Sequence, residues 1–416
     1  MPDLHRKKQP RIAVYTGEGA SHSWTWFADM FDREHAGPVV FVDEAAVRGG
    51  ALEAADVFFV SGGDTFAIAA ALGGLGARAI ERFIRDGGTY IGACAGAYLL
   101  LKSSLEPLHY FNFVNAKIAN LTRCLPPALQ RPEKYCTAYG CRYVFHPVRE
   151  EVGMRCGAAP HEERSVHAPL YGGPAMIASD DIEVLATYAG FTEASEFLVE
   201  ESVAAETLIG NVAAARKCCG RGVIYLFGPH FEHPDFPEAN RIMFDCLAGA
   251  RASGEPAHRQ APADPAGRAG FRAFLSELSN ARIMALALER SRYQWLIGAK
   301  VYDPEKIRIF LEAIWKRARA LDTRCLQGCC SSADIERLGE ALFRCSVNLR
   351  ALRTDALCGC AEELFRDLRQ SAAAFMNMYF SALYTAGHGS AAAISSQPAR
   401  TKARAGRAQA CHQFVY

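Results

Sequence analysis

Thr89-Tyr90-Ile91-Gly92-Ala93-Cys94-Ala95-Gly96-Ala97-Tyr98-Leu99-Leu100 is the stretch on which the fold turns. An apolar run ends in Gly-x-Cys-x-Gly, and small or apolar helix formers follow. That is the pattern of a strand-to-helix elbow presenting a nucleophile. Such a turn strains the backbone at its central residue, so the neighbours must be small; Gly92, Ala93, Ala95 and Gly96 all are. A thiol at Cys94 would sit at the N-terminus of the next helix, where the dipole and free N–H groups favour a thiolate. Read alone, the motif also suits a buried structural cysteine between packing glycines.

Outward from the elbow, short apolar strands alternate with helices. Arg11 to Tyr15 reads as a strand closed by Thr16-Gly17-Glu18-Gly19, and an amphipathic segment through Trp24, Trp26, Phe27 and Phe31 follows. Val39 to Val42 is a second strand, and Val57 to Val60 a third that ends in Ser61-Gly62-Gly63-Asp64-Thr65. An Ala-rich helix then runs from Phe66 to Asp86 into the elbow strand. This alternation points to a mainly parallel sheet covered on both faces, with its chemistry at the carboxyl ends of the strands. Gly62-Gly63 and Cys94 both fall there. The amides of Gly63 and Ala95 could converge on one oxyanion, although Gly62-Gly63 also reads as a plain tight turn.

From Lys102 to His167 six prolines break the pattern into loops and short elements. Cys124, Cys136, Cys141, Cys156, His146, His161 and His167 lie there without any Cys-x-x-Cys or His-x-x-x-His pair, so no metal is expected. Tyr171-Gly172-Gly173-Pro174 reads as a turn, and Glu183 to Tyr188 as a strand. Asn211 to Lys217 and Val223 to Phe227 form a hairpin around Cys219-Gly220-Arg221-Gly222. Its second strand runs into Gly228-Pro229-His230-Phe231-Glu232-His233-Pro234. An imidazole at His230 could take a thiol's proton and return it to a leaving amine, while Glu232 holds the ring's tautomer. The competing reading is a polar loop at a strand end.

Residues 11 to about 248 resemble the class I glutamine amidotransferase-like superfamily, and more narrowly the N-terminal domain of biotin-protein ligases and its stand-alone relatives. The resemblance is carried by Val14 to Gly19, Ser61 to Asp64, Gly88 to Tyr98, Tyr171 to Gly173 and Gly228 to Glu232. It implies a flavodoxin-like doubly wound sheet, with Cys94 as nucleophile, His230 as base and Glu232 as orienting acid. Gly62, Gly63, Ala95, Tyr171 and Gly172 would form the oxyanion and substrate-binding surface, and no cofactor is implied. The expected substrate is a small amide or glutamine-like molecule. Ser61 stands where a proline usually opens the glycine loop, and the Gly-x-Gln-Phe-His-Pro-Glu version of true glutaminases is absent. No Gly-Arg-Gly-Arg-Arg-Gly-like adenylate loop follows, so biotin ligation is not expected.

Composition bounds the rest. The 416 residues are half hydrophobic, and 46 basic side chains balance 45 acidic ones. A net charge of +1 gives no global reason to expect nucleic acid or an anionic membrane as partner. No apolar run reaches the roughly 18 residues of a membrane span. Fifteen cysteines, an odd number in a large chain, read as reduced thiols in a cytoplasm. After an α/β domain over 1–250, the Pro-rich stretch 251–268 reads as a linker. A helical bundle over 269–385 follows, with Asp303-Pro304, Ser332 and Thr354 as helix starts, giving about four helices. Residues 386–416 read as a mobile tail. The bundle should carry its own apolar core, so that residues 1–250 fold alone. It could recruit a protein partner, and in a second reading of the whole chain the pocket binds a metabolite without chemistry.

Overall fold

Four short strands form one end of the sheet: β1 (Ile12–Tyr15), β2 (Val39–Val42), β3 (Val57–Val60) and β4 (Thr89–Ala93). Nearly every residue in them is buried, which is why they are apolar throughout instead of alternating. The structure is a computed structural model and describes residues 9–124, 143–157, 164–250, 266–291, 293–298, 300–321, 331–355 and 359–389.

The helices between these strands are α1 (Trp24–Glu34), α2 (Glu44–Arg48), α3 (Thr65–Arg85) and α4 (Ala95–Leu100). Asp64 caps α3 by accepting from the amides of Phe66 and Ala67 at 3.0 and 3.2 Å. Gly73, at φ 56° and ψ −169°, interrupts that helix.

The remaining strands are β5 (Lys117–Ile118), β6 (Val148–Cys156), β7 (Arg164–Pro169), β8 (Met176–Ile177), β9 (Glu183–Phe197), β10 (Val212–Cys219) and β11 (Gly222–Phe227). The sheet order is β2-β1-β3-β4-β11-β10-β9-β6-β7, with β8 also pairing β10 and β5 pairing β8. Pairings from β2 to β11 are parallel, whereas β11, β10, β9, β6 and β7 pair antiparallel. The parallel part has the flavodoxin-like order, with β11 fifth. The expected hairpin is β10–β11, in register from Ala214–Phe227 to Cys219–Gly222.

The stretch expected to be loops holds more order than its prolines suggested. Strands β6 and β7 pair from Glu151–Pro169 to Cys156–Arg164, and β9 runs nine residues past Tyr188. These strands carry charged and polar residues, so periodicity hid them. Cys136, Cys141 and His161 lie outside the described residues.

After α5 (Glu201–Leu208) and α6 (Pro237–Ala248) come four long helices: α7 (Ala266–Glu289), α8 (Pro304–Ala320), α9 (Ser332–Thr354) and α10 (Ala361–Gly389). Most of the expected linker lies outside the described residues, and 266–268 are already the first turn of α7; the expected tail begins inside α10. Asp303 and Ser331 cap α8 and α9, but Thr354 closes a helix instead of opening one. A hairpin of β12 (Trp295–Ile297) and β13 (Lys300–Tyr302), unexpected from sequence, joins α7 to α8. Two three-residue strands around Gly298 are too short to show a period.

One apolar cluster runs through both regions. Trp24 of α1 meets Phe310 of α8 at 5.9 Å between ring centroids, and Phe41 of β2 meets Phe380 of α10 at 5.7 Å. Strand β2 is a sheet edge, and Asn377 closes it: its carboxamide accepts from the Phe41 amide at 2.7 Å and donates to the Phe41 carbonyl at 2.9 Å. Among the described residues no helix is long and apolar enough to cross a membrane.

Candidate active site

Cys94 is the residue between β4 and α4, at φ 51° and ψ −108°. Few side chains tolerate this left-handed region, and a non-glycine there marks stored strain. The flanking glycines are dictated by close approach. A Cβ on Gly96 would fall onto the Val60 carbonyl, and one on Gly92 onto the Gly96 carbonyl. The elbow is therefore pressed between β3 and its own helix, with the thiol at the sheet's carboxyl edge. The Cys94 amide donates to Phe227 at 2.9 Å, tying the elbow to the end of β11.

Three residues beyond Phe227 stands His230, 3% exposed, and then Glu232, fully buried. His230 Nδ1 lies 2.7 Å from Glu232 Oε1, so Nε2 is the ring nitrogen left for the thiol. Glu232 Oε2 has no hydrogen-bond partner among the described residues. The loop is held from outside: the His230 amide donates to Pro169 at 2.9 Å, and Asn240 Nδ2 donates to the carbonyls of Phe231 and His233 at 2.5 and 2.9 Å. Trp26 stands edge-on to the His230 ring at 5.3 Å, and Tyr171 flanks it at 5.7 Å. A Cβ on Gly62 would lie 2.7 Å from His230 Cε1, so only glycine leaves the ring its place.

The charges follow from this packing. Burial alone would raise the Cys94 thiol, but the nearby His230 and then the charge of Lys300 pull it below its ordinary value. Burial works against a charged His230, yet Glu232 and then Cys94 push it up to about 10. The arrangement favours a thiolate–imidazolium pair backed by a carboxylate. A neutral thiol could reach the Tyr171 carbonyl only at 3.8 Å, a long contact, so the imidazolium decides where the proton sits.

Of the other residues expected from sequence, Gly63 and Ala95 line the same cavity as Cys94. Among the described residues no carbonyl accepts from either amide, which leaves two donors beside the thiol. Tyr171 and Gly172 also line it. The Tyr171 hydroxyl donates to Glu150 Oε2 at 2.9 Å. Gly172 sits at φ +86°, and a Cβ there would run into the His146 ring. The structure thus brings all eight expected residues to one place.

Sequence reading missed others. His146 is buried in the lining, and burial and then the charge of Lys300 hold it at about 3, so it stays neutral. It had been weighed only as a metal ligand. Lys300 arrives from the β12–β13 hairpin, more than 200 residues after the elbow, and nothing local marks it. The cavity holds about 610 Å³.

Comparison with known proteins adds one specific likeness. No curated protein matches the chain. Among solved structures, a β-galactosidase from Bacillus circulans sp. alkalophilus shares 13% identity at a TM-score of 0.34, over 62% of this chain and 34% of that one. A cytoplasmic protein from Salmonella typhimurium shares 11% at 0.31, over 58% and 99%. The chain spans about a third of the length of the β-galactosidase, and scores this low carry neither fold nor function across. The likeness that is specific lies in the sequence: residues 11–104, from β1 to just past the elbow helix, match the family described as biotin-protein ligase, N terminal.

Proposed function

We propose that the protein is a cysteine-dependent amidohydrolase of the class I glutamine amidotransferase-like kind, cleaving a C–N bond through a thioester. What supports this best is the thiol of Cys94 on a strained elbow beside His230, whose far nitrogen is 2.7 Å from buried Glu232. The Cys94 thiolate attacks the amide carbon, and the oxyanion is received by the amides of Gly63 and Ala95. His230 gives its Nε2 proton to the departing nitrogen as the C–N bond breaks, leaving a thioester and an amine or ammonia. Having given up that proton, the neutral imidazole of His230 can take one from water at Nε2. That water attacks the thioester, releasing a carboxylate and restoring the thiol. Glu232 keeps the imidazole oriented and balances its charge throughout.

The test is mass spectrometry after treatment with a glutamine-analogue diazoketone. A single adduct on Cys94, lost in Cys94→Ser and in His230→Ala, is the expected result. Adducts spread over the other cysteines, or none on Cys94, would instead leave a pocket that binds a metabolite without chemistry.

A further inference from the structure

The helical region does more than cover a sheet edge, because its β12–β13 hairpin reaches the cavity that holds Cys94. The turn at Gly298 lies against Asp64, where an added Cβ would come within 2.8 Å of the carboxylate. Two residues on, Lys300 lines the cavity and is half-buried. Its neighbour in the helical region, Lys306, is paired with Asp303 at 2.6 Å. Among the described residues no carboxylate pairs with the Lys300 ammonium. The lining carries one carboxylate, Asp64, which caps α3, against three cations, Lys300 and the exposed Lys102 and Arg123. The wall also carries Leu101, Leu105, Leu108, Ile118 and Leu121, interspersed with Ser103, Ser104 and Thr122.

A half-buried ammonium in a cavity wall with no carboxylate partner is free to pair with an anion that enters. We infer that Lys300 receives a carboxylate of the substrate whose amide Cys94 attacks, making the helical region a part of the substrate site. This rests on the hydrolase reading above. The cavity then suits an amide carrying an apolar stretch and a carboxylate, with Lys300 setting the preference. Lys300 shares the cavity wall with Cys94 and His146, and its charge lowers the pKa of both.

The experiment uses the full chain and two small alkylating agents of like size, neutral iodoacetamide and anionic iodoacetate. The quantity read is the ratio of their rates at Cys94, by peptide mass spectrometry. The ratio cancels any change in the thiolate fraction, which both reagents sense alike. Lys300→Met should lower the iodoacetate-to-iodoacetamide ratio by about tenfold, the scale of one unit charge across a partly solvated site. Lys300→Arg should restore it, and Lys102→Met should leave it nearly unchanged. An unchanged ratio in Lys300→Met, or an equal fall in Lys102→Met, overturns the inference while the hydrolase reading stands. Loss of any His230-dependent reaction with iodoacetamide in the unaltered protein would sink the hydrolase reading, and the inference with it. Should Lys300→Met melt early, Lys300→Gln replaces it, and Lys300→Arg keeps the comparison decisive.

Discussion

Arg317, 1% exposed, places Nη2 2.7 Å from Asp29 Oδ1 and 2.8 Å from Asp32 Oδ2, joining α8 to α1 across the two regions. Its Nη1 donates to the Ala313 carbonyl at 3.0 Å. The same α1 carries Trp24 against Phe310 and Trp26 against His230. The ion pair therefore anchors the helix that walls the imidazole, linking the helical region to the site from a second direction.

Arg317→Met should be strongly destabilising. The swap keeps most of the volume but leaves Asp29 and Asp32 with one fewer buried partner, a loss of about 3–5 kcal/mol for a broken buried pair. Burial already raises the Asp32 carboxyl, with Arg317 the largest opposing influence, so the variant should push it further up. Denaturant melts at pH 7 and pH 5 give the check. The deficit should be smaller at pH 5, where a raised Asp32 can take a proton; an equal deficit at both would mean the loss is packing alone.

A chain ending at Ala250 should fold poorly. Without the helices, Trp24 and Phe41 face water and the β2 edge loses Asn377. Light scattering and dye binding should report aggregation and exposed apolar surface, with a broadened melt. A soluble fragment with a cooperative melt would show that the sheet does not need this cover.

Two glycine substitutions should separate chemistry from folding. In Gly62→Ala the new methyl meets His230 Cε1 at 2.7 Å and Ser23 Oγ at 2.8 Å, both side chains that can move. The fold should survive while iodoacetamide labelling of Cys94 drops at least tenfold, as a misplaced imidazole no longer holds the thiolate. Gly96→Ala meets the backbone carbonyl of Val60, which cannot yield, so expression of folded protein should fail. Normal labelling in Gly62→Ala would argue against His230 as the thiol's partner.

The pH dependence follows from the signs at the two groups. Only the thiolate reacts, so labelling of Cys94 should rise with pH through a midpoint below the ordinary thiol value of about 8.5. Removing His230 deletes the largest influence that lowers the thiol and leaves burial opposed mainly by Lys300. The midpoint in His230→Ala should therefore move to about 8.5 or higher. In Glu232→Gln the largest influence raising His230 is gone, so the imidazole should titrate well below about 10 when followed by NMR. An unmoved midpoint in His230→Ala would remove the electrostatic basis of the proposed mechanism.

The parallel half of the fold was legible in the residues because each element there is short, apolar and bounded by turn residues. Cys94, Gly62-Gly63 and His230-x-Glu232 were legible because each stands at the end of such a strand. Strands β6 and β7 were not, since Arg149, Glu150, Glu151 and Arg155 interrupt the apolar residues of the first and Arg164, Ser165 and His167 those of the second. The β12–β13 hairpin escaped for the opposite reason, being only three residues on a side.

Sequence alone determined the elbow. Small residues around Cys94 are in part a local steric requirement, since a Cβ on Gly92 would fall onto the carbonyl of Gly96 in the same turn. It also determined the strand ends, because apolar runs stop where polar residues begin. Only tertiary structure decided which groups share the site. Whether His230 faces Cys94 depends on β11 lying beside β4, and a hydrogen bond from Cys94 to Phe227 records that pairing. Whether Lys300 lines the cavity depends on a hairpin folded back over Asp64 from the far end of the chain. Such proximities arise from long-range burial, in which the apolar faces of Trp24, Phe310, Phe41 and Phe380 pack together and carry the charged residues with them.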